Sequence, residues 1–214
     1  MPDYEFHEIG LDDLMDALGA NVKEDIKSFE DVLNLDGALN REIYLRDIEE
    51  GTGINIEGFI RFWNDYDRKK NIPVENRKPI KLYIDSNGGL LDDTLTIIDA
   101  IKMSVTPVWT INLGKAYSGG FFTFIAGAKR IAYPHASFLF HEGSTGTSGT
   151  SGQFENYTAF YKKQLEQIKD HVLECTSLSE EEYTKIRKED IWYTAKEALE
   201  KGIVDEIARS LDEI

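Results

Sequence analysis

Short apolar runs alternate along the chain with longer segments in which apolar residues recur every three or four positions. The short runs predict β-strands at 41–45, 80–84, 108–113, 130–133 and 137–140. The periodic segments predict helices at 56–66, 95–105 and 121–128. Asp92 or Asp93 is expected to cap the second helix, because a carboxylate accepts hydrogen bonds from the free N–H groups at a helix start. Strands that alternate with helices predict a layered α/β fold.

A longer helix is predicted in the C-terminal half of the chain. Its apolar residues step by four, four, three and four positions: Tyr157, Tyr161, Leu165, Ile168 and Val172. Two shorter helices are expected to begin after Ser179 and after Thr194, because a glutamate follows each of these residues three positions later. That spacing is typical of a capping box, in which the hydroxyl and the carboxylate each accept a hydrogen bond from the main chain.

Acidic residues are concentrated towards the N-terminal end. Residues 1–40 contain eleven acidic and two basic side chains, a net charge of −9 out of −15 for the whole chain. Apolar residues at helical spacing predict a short amphipathic helix over 11–20: Leu11, Leu14, Met15 and Leu18. We therefore divide the chain into an acidic N-terminal segment, 1–40, and one domain, 41–214.

Composition and charge narrow the class of protein. The sequence has no run of ~18 apolar residues and no basic region followed by an apolar run, so neither a membrane span nor a secretory signal is expected. Cys175 is the only cysteine, which excludes an internal disulfide and favours the cytoplasm. The net charge of −15 disfavours nucleic acid as a partner. No set of His, Cys, Asp and Glu has metal-ligand spacing, so neither a metal nor another cofactor is expected.

The segment 114–122 contains the strongest candidate for chemistry. Ser118 lies in a glycine-lined turn between a predicted strand and a predicted helix, where its hydroxyl is expected to be exposed. Its own N–H and that of Gly119 are expected to point towards the helix N-terminus, where negative charge is favoured. Acyl transfer needs a nucleophile beside such donors. A serine in a glycine-rich turn is also common as a simple turn or cap residue, and both interpretations stay open here.

Two later residues extend this candidate site. His141 follows the predicted strand 137–140, and Asp190 precedes the segment 191–195. A serine, a histidine and an aspartate can act as nucleophile, base and orienting acid in any chain order, because the same geometry recurs on unrelated folds. Asp190 can equally be an ordinary acidic residue of a surface loop.

Four motifs in this order resemble the proteolytic subunit of the Clp protease, within the Clp protease/crotonase fold family. Residues 82–89, LYIDSNGG, resemble the pattern "YINSPGG", and residues 114–121, GKAYSGGF, resemble "GQAASMGAF". Residues 133–141, YPHASFLFH, resemble "LPNSRVMIH", and residues 190–205 resemble "DRFLSAxEAxxYGLID". The resemblance covers roughly residues 41–207.

The resemblance implies an α/β fold with repeated β-β-α units and a protruding handle helix. It implies that Ser118 is the nucleophile, that His141 is the base and that Asp190 orients it. The N–H groups of Gly89 and Gly119 would form the oxyanion hole. It also implies a serine endopeptidase that forms heptameric rings, two of them stacked, and that receives unfolded polypeptides from a hexameric Clp ATPase. The chain itself has no Gly-x-x-x-x-Gly-Lys-Ser/Thr phosphate loop.

Three of the departures from the family pattern concern turns and segments. Asn87 stands where the pattern has proline, in a turn that asparagine also tolerates. Residues 142–152 are rich in Gly, Ser and Thr where the family has a glycine-containing strand, so an irregular or mobile strand is expected. The segment 1–40 is long and acidic for a family in which the N-terminal segment lines or gates an axial pore. It is therefore an axial gate, a propeptide, a docking segment or a solvated leader.

Three other functions remain open. An ATPase-independent Clp-like peptidase, of the maturation or signal-peptide type, would cleave peptides alone, with a Ser/Lys dyad bringing in Lys115 or another lysine. A crotonase-like acyl-CoA enzyme would use the oxyanion hole for a thioester enolate and would not need Ser118, His141 and Asp190 together. An inactive ring subunit would serve only in assembly.

Overall fold

A computed structural model of the chain describes residues 37–214. The amphipathic helix predicted over 11–20 lies outside these residues, as does nearly all of the acidic segment. The chain divides into two units, 1–43 and 44–214, and the larger unit contains every site described below. The boundary predicted between residues 40 and 41 stays a prediction. Within 37–214, no helix combines the length and the apolar character needed to cross a membrane.

In the part of the chain that the structure describes, seven strands form one sheet. They are β1 (Glu42–Leu45), β2 (Ile80–Ser86), β3 (Val108–Tyr117), β4 (Lys129–Ala132), β5 (Ser137–Phe140), β6 (Ile191–Thr194) and β7 (Glu206–Ile207). The main path runs β1-β2-β3-β4-β7, and β5 and β6 branch from β3. The pairs β2–β3, β3–β4, β3–β5 and β4–β7 are parallel, whereas β5–β6 is antiparallel. This mixed, mainly parallel sheet confirms the predicted α/β fold class.

Six complete α-helices accompany the sheet within residues 37–214. They are α1 (Thr52–Lys69), α2 (Leu91–Met103), α3 (Gly119–Ile125), α4 (Ser151–Cys175), α5 (Glu180–Ile186) and α6 (Ala195–Glu200). Helix α4 confirms the long helix predicted over 157–172. The capping boxes predicted at Ser179 and Thr194 are both present, and a third, formed by Thr150 and Gln153, begins α4.

Strand β3 is the branch point that positions the candidate site. Its first half, 109–112, pairs with β4, and its second half, 115–117, pairs with β5. Because β3 changes partner, the sheet splits directly before Ser118, and the end of β5 comes to lie beside it. The sequence predicted β3 only to residue 113, because Gly114 looked like the start of a turn. In the fold the strand continues, and Gly114 N–H donates to the side chain of Asn112.

The core around this branch is aromatic. Every residue of α3 is buried, and Phe121 lies edge-on to Phe140 of β5, with ring centroids 5.7 Å apart. Phe124 packs against Phe138 at 5.0 Å, and Phe140 packs against Tyr183 of α5 at 5.5 Å. Each fully buried ring stabilises the fold by about 1.5–3 kcal/mol relative to an exposed one. The helix after Ser118 is therefore fixed against the strand that precedes His141.

Two predictions about local structure are wrong. Neither Asp92 nor Asp93 caps α2, whose N-cap is Leu90. Instead, Asp93 Oδ1 accepts hydrogen bonds from Gly51 N–H (3.1 Å) and Gly53 N–H (2.8 Å) at the start of α1. The carboxylate thus caps the neighbouring helix, because α1 and α2 lie side by side.

The expected irregular strand within 142–152 is not formed. Residues 141–150 contain no strand, and α4 begins at Ser151. Small polar residues bury little surface against a sheet, and no other strand within 37–214 pairs with this segment.

Candidate active site

Ser118 occupies a strained turn between β3 and α3. Its backbone angles are φ 52° and ψ −120°, in a region that residues other than glycine seldom adopt. Its N–H donates to Leu139 O (3.0 Å), and its carbonyl oxygen accepts from Phe121 N–H (2.9 Å) and Phe122 N–H (3.2 Å). The N–H and the carbonyl group of Ser118 therefore both form hydrogen bonds, and its half-buried side chain remains available for a reaction. The expectation that the N–H of Ser118 is free to meet an anion is wrong, because β5 takes that donor.

Two glycines bring a second turn against this one. Gly88 has φ 92°, and a Cβ at this position would lie 2.7 Å from the Cβ of Ser118. Gly89 has φ 151°, and a Cβ there would collide with the main-chain oxygen of Ile48. Hydrogen bonds from Ile48 N–H to Gly88 O (2.8 Å) and from Leu90 N–H to Ile48 O (2.9 Å) hold the turn. Only glycines permit this close approach.

The backbone N–H groups of Gly89 and Gly119 lie near each other at this junction. The position of a Cβ on Gly119 would be 3.5 Å from the nitrogen of Gly89. Within 37–214, neither N–H has a hydrogen-bond acceptor, although Gly119 is buried. A buried N–H without an acceptor is rare in folded proteins, because its desolvation is costly. Both donors are therefore available to an anionic group beside Ser118.

His141 and Asp190 are brought together by the antiparallel pairing of β5 and β6. Phe140, the last residue of β5, pairs with Ile191, the first residue of β6. The residues just outside the two strands, His141 and Asp190, therefore face each other. His141 Nδ1 lies 3.4 Å from Asp190 Oδ1. This is an electrostatic contact, longer than a good hydrogen bond. The side chain of His141 is 30% exposed and that of Asp190 is 66% exposed, so both groups are open to solvent.

The candidate nucleophile Ser118 and the candidate base His141 are not in contact through a hydrogen bond in this structure. Tyr117 pairs with Leu139, which places the ends of β3 and β5 next to each other. Among the described residues, however, no hydrogen bond joins the hydroxyl of Ser118 to the ring of His141. The structure thus brings His141 and Asp190 together and places His141 directly after β5, the strand beside Ser118.

Lys115 lies on β3 but is held by Asn87. Its Nζ donates to Asn87 Oδ1 (3.0 Å), and the backbone and side-chain nitrogens of Asn87 each donate to Asp47 Oδ1 (3.0 Å). This chain of contacts secures the turn in which the family pattern has proline. The ammonium group of Lys115 is therefore engaged with Asn87, which argues against a Ser/Lys dyad. No sequence pattern pointed to Asp47, which lies 40 residues from Asn87.

Cys175 and His171 form a pair on α4 away from the candidate site. His171 Nε2 lies 2.9 Å from Phe122 O and must donate to it, so Nδ1 is the acceptor that faces Cys175 Sγ at 3.5 Å. Burial lowers the pKa of His171 and raises the pKa of the Cys175 thiol. A neutral ring and a protonated thiol are typical of packing residues.

Comparison with known proteins covers most of the described region. The family model "Clp protease" matches residues 73–210. The chain is 37% identical over 145 residues to "ATP-dependent Clp protease proteolytic subunit 1" of Streptomyces avermitilis, covering 65% of each protein. It is 32% identical over 139 residues to "proteolytic subunit 2" of Treponema denticola, covering 64% of this chain and 70% of that one. The corresponding subunit 2 of Corynebacterium diphtheriae is 34% identical over 135 residues, covering 62% and 68%.

The chain thus spans about two thirds of the length of these curated relatives. The matched region includes every residue of the candidate site, from Gly88 to Asp190. A family model that matches well over half of the chain, on a mainly parallel α/β sheet, establishes the relationship. The chain belongs to the Clp protease family.

Proposed function

We propose that this protein is a serine endopeptidase that hydrolyses peptide bonds through an acyl-enzyme on Ser118. One observation carries the proposal. The strained turn at Ser118 lies beside the N–H groups of Gly89 and Gly119, which have no acceptor within residues 37–214, and beside β5, which is followed directly by His141 and its contact with Asp190. These are the parts that acyl transfer needs: a nucleophile, an oxyanion hole and an oriented base.

The proposed reaction begins when Ser118 Oγ attacks the peptide carbonyl carbon and His141 Nε2 takes its proton. Asp190 faces Nδ1, so it fixes the tautomer that leaves Nε2 free to accept and stabilises the imidazolium that forms. The N–H groups of Gly89 and Gly119 hold the oxyanion. The C–N bond then breaks as His141 returns the proton to the amine, and water repeats the sequence to release the acid. His141 can take the proton only from within hydrogen-bond reach of Ser118. Since no hydrogen bond joins the two side chains in this structure, the reaction requires them to move into contact first.

The proposal extends to assembly and partners. The relatives are named ATP-dependent proteolytic subunits, and this chain has no phosphate loop of its own. We therefore propose two stacked heptameric rings in the cytoplasm, fed with unfolded polypeptides by a hexameric Clp ATPase. The long helix α4 supports association between copies, because it exposes three aromatic side chains: Phe154 (54%), Tyr157 (36%) and Phe160 (55%).

A crotonase-like activity is less well supported. An enolate-stabilising site would use the same two N–H groups but would have no use for a histidine held beside an aspartate. The 3.4 Å contact between His141 and Asp190 is the observation that favours the peptidase.

A fluorophosphonate probe tests the activity directly. The purified protein should be labelled, and peptide mass spectrometry should place the adduct on Ser118. His141→Ala should label much more slowly, because the serine loses its base, and Ser118→Ala should not label. Labelling that persists in Ser118→Ala, or an assembled wild-type protein that is neither labelled nor able to cleave peptides, would overturn the proposal.

A further inference from the structure

Glu142, the residue directly after His141, is held by three side chains. Its Oε1 lies 2.7 Å from Arg187 Nε and accepts a hydrogen bond from Tyr183 Oη at 3.5 Å. Its main-chain oxygen accepts from Tyr161 Oη at 3.4 Å. Only 18% of the Glu142 side chain is exposed, so its charge is compensated mainly by Arg187. The Arg187 N–H is poorly aligned with the carboxylate, so this contact is an ion pair more than a directed hydrogen bond.

The three partners come from two helices that lead towards Asp190. Tyr161 belongs to α4 and Tyr183 to α5, and Arg187 is the C-cap of α5. The N–H of Arg187 donates to Tyr183 O at 2.9 Å, so the end of the helix is regular. Asp190 follows Arg187 by three residues. The ion pair between Glu142 and Arg187 therefore connects the segment directly after His141 to the segment that contains Asp190.

The antiparallel pairing of β5 and β6 ends at Phe140 and Ile191, so it supports His141 and Asp190 from one side only. Strand β5 ends at Phe140, and no strand forms between residues 141 and 150. Gly143, with φ 76°, turns the chain away directly after Glu142. The carboxylate of Asp190 is 66% exposed, and apart from its contact with His141 it forms no hydrogen bond or ion pair within residues 37–214. A pair of groups separated by 3.4 Å and open to water needs its backbone held from outside.

Tyr183 remains a hydrogen-bond donor to the Glu142 carboxylate. Burial, with a further contribution from the Glu142 carboxylate, raises the pKa of Tyr183 well above its usual range. Burial also raises the pKa of Tyr161. Both phenols therefore stay protonated at any working pH, and Glu142 stays held.

We propose that the Glu142–Arg187 ion pair is a positioning device that keeps His141 opposite Asp190. Neither residue touches the reacting atoms, so both act through the backbone next to the base and the acid. The inference rests on the proposed peptidase function and adds to it a determinant of the catalytic geometry.

Arg187→Met and Glu142→Gln test the proposal in the assembled protein. Each removes one charge, and Glu142→Gln keeps the shape and the acceptor for Tyr183. Both should lower kcat on a fluorogenic peptide by about 10- to 100-fold, as a displacement of about 1 Å can do. KM should stay within about twofold, because neither residue binds the substrate. Arg187→Lys, which retains the charge, should keep most of the activity.

A matched control separates positioning from general stability. Lys201→Met breaks the ion pair between Lys201 and Glu182, which also holds α5 but lies outside the network. It should leave kcat unchanged. Thermal melting and size-exclusion chromatography should show that all variants fold and assemble alike, and Glu142→Gln carries the test if Arg187→Met does not fold.

A double-mutant comparison decides the mechanism. In an Asp190→Ala background, Arg187→Met should have little further effect on kcat, because the geometry that it supports is already lost. Equal losses in both backgrounds, or wild-type kcat in Arg187→Met and Glu142→Gln, would overturn the positioning role. Failure of the peptidase proposal is distinct, since the wild-type protein itself would then show no adduct on Ser118 and no cleavage.

Discussion

A Cβ on Gly88 would lie 2.7 Å from the Cβ of Ser118, closer than side-chain carbons approach in folded proteins. The same Cβ would lie 2.7 Å from the main-chain oxygen of Tyr117 and 2.8 Å from the nitrogen of Gly119. The two glycine turns are therefore packed backbone against backbone. This contact sets the distance between the candidate nucleophile and the candidate oxyanion hole.

Gly88→Ala should accordingly reduce kcat by at least about 100-fold and lower the melting temperature. The methyl group must displace backbone on both sides, and the positive φ of 92° adds strain. Gly58→Ala is the matched control, because nothing lies within 4 Å of its Cβ and it lies inside α1. That change should stabilise the protein by about 0.5–1 kcal/mol without altering kcat. Wild-type kcat in Gly88→Ala would show that the two turns are not mechanically coupled.

Asn87 should be a second determinant of this turn. Asn87→Ala removes the side-chain contacts to Asp47 and Lys115, and each exposed hydrogen bond contributes about 0.5–1.5 kcal/mol. We expect a loss of about 1 kcal/mol in the free energy of unfolding, measured by urea denaturation. We also expect kcat to be lower than in the wild type.

A double variant tests whether the contact between Asn87 and Asp47 accounts for this loss of stability. Asp47→Ala should cost a similar amount, and the double variant should cost less than the sum, because both changes remove the side-chain hydrogen bond between Asn87 and Asp47. Strictly additive losses would mean that the two side chains stabilise the fold independently.

The sequence predicted what depends on neighbouring residues and missed what depends on distant ones. Strand β5 and the capping boxes at Ser179 and Thr194 were found because apolar runs and three-residue spacings are local signals. Ser118 and its associated motifs were found because their order resembles a known family. The branch of the sheet at β3 has no local signal, since the pairing partner of each half lies beyond the strand itself.

Asp93 and Glu142 show the physical reason for the failures. Asp93 has the sequence context of a cap for its own helix, but its carboxylate lies 40 and 42 residues from the N–H groups that it accepts from. Glu142 lies 45 residues from Arg187 and looks like a residue of a polar linker. Such contacts follow from how the helices pack, which the periodicity of a single segment does not encode.

Asp93→Ala should destabilise the protein through α1. Two N–H groups at the start of that helix lose their acceptor, and loss of a cap costs about 0.5–2 kcal/mol. Asp99→Ala is a suitable control, because Asp99 is exposed on the same helix α2 and surface changes usually stay within about 0.5 kcal/mol. Equal unfolding free energies for the two variants would contradict the capping role.

Acid should weaken the anchoring of α5 through Glu182. Hydrogen bonding to Lys201, then to the backbone and side chain of Ser179, lowers the pKa of Glu182 from 4.5 to about 2. A carboxylate with a depressed pKa stabilises the folded state above its unfolded pKa and loses that contribution as the pH falls to the folded value. The contribution of Glu182 should therefore be complete above about pH 5 and disappear between pH 4.5 and 2.

Melting temperatures measured between pH 2 and pH 6 test this assignment. Lys201→Met removes the largest cause of the lowered pKa, so the acid-induced fall in melting temperature should be shallower in that variant than in the wild type. Lys163→Met provides the comparison, because Lys163 lies on α4 and has no ion pair within 37–214, so its profile should follow the wild type. Because 43% of the Glu182 side chain is exposed, salt should reduce the difference between Lys201→Met and wild type. Parallel profiles for wild type and Lys201→Met at low salt would show that the Glu182–Lys201 pair does not hold α5 in solution.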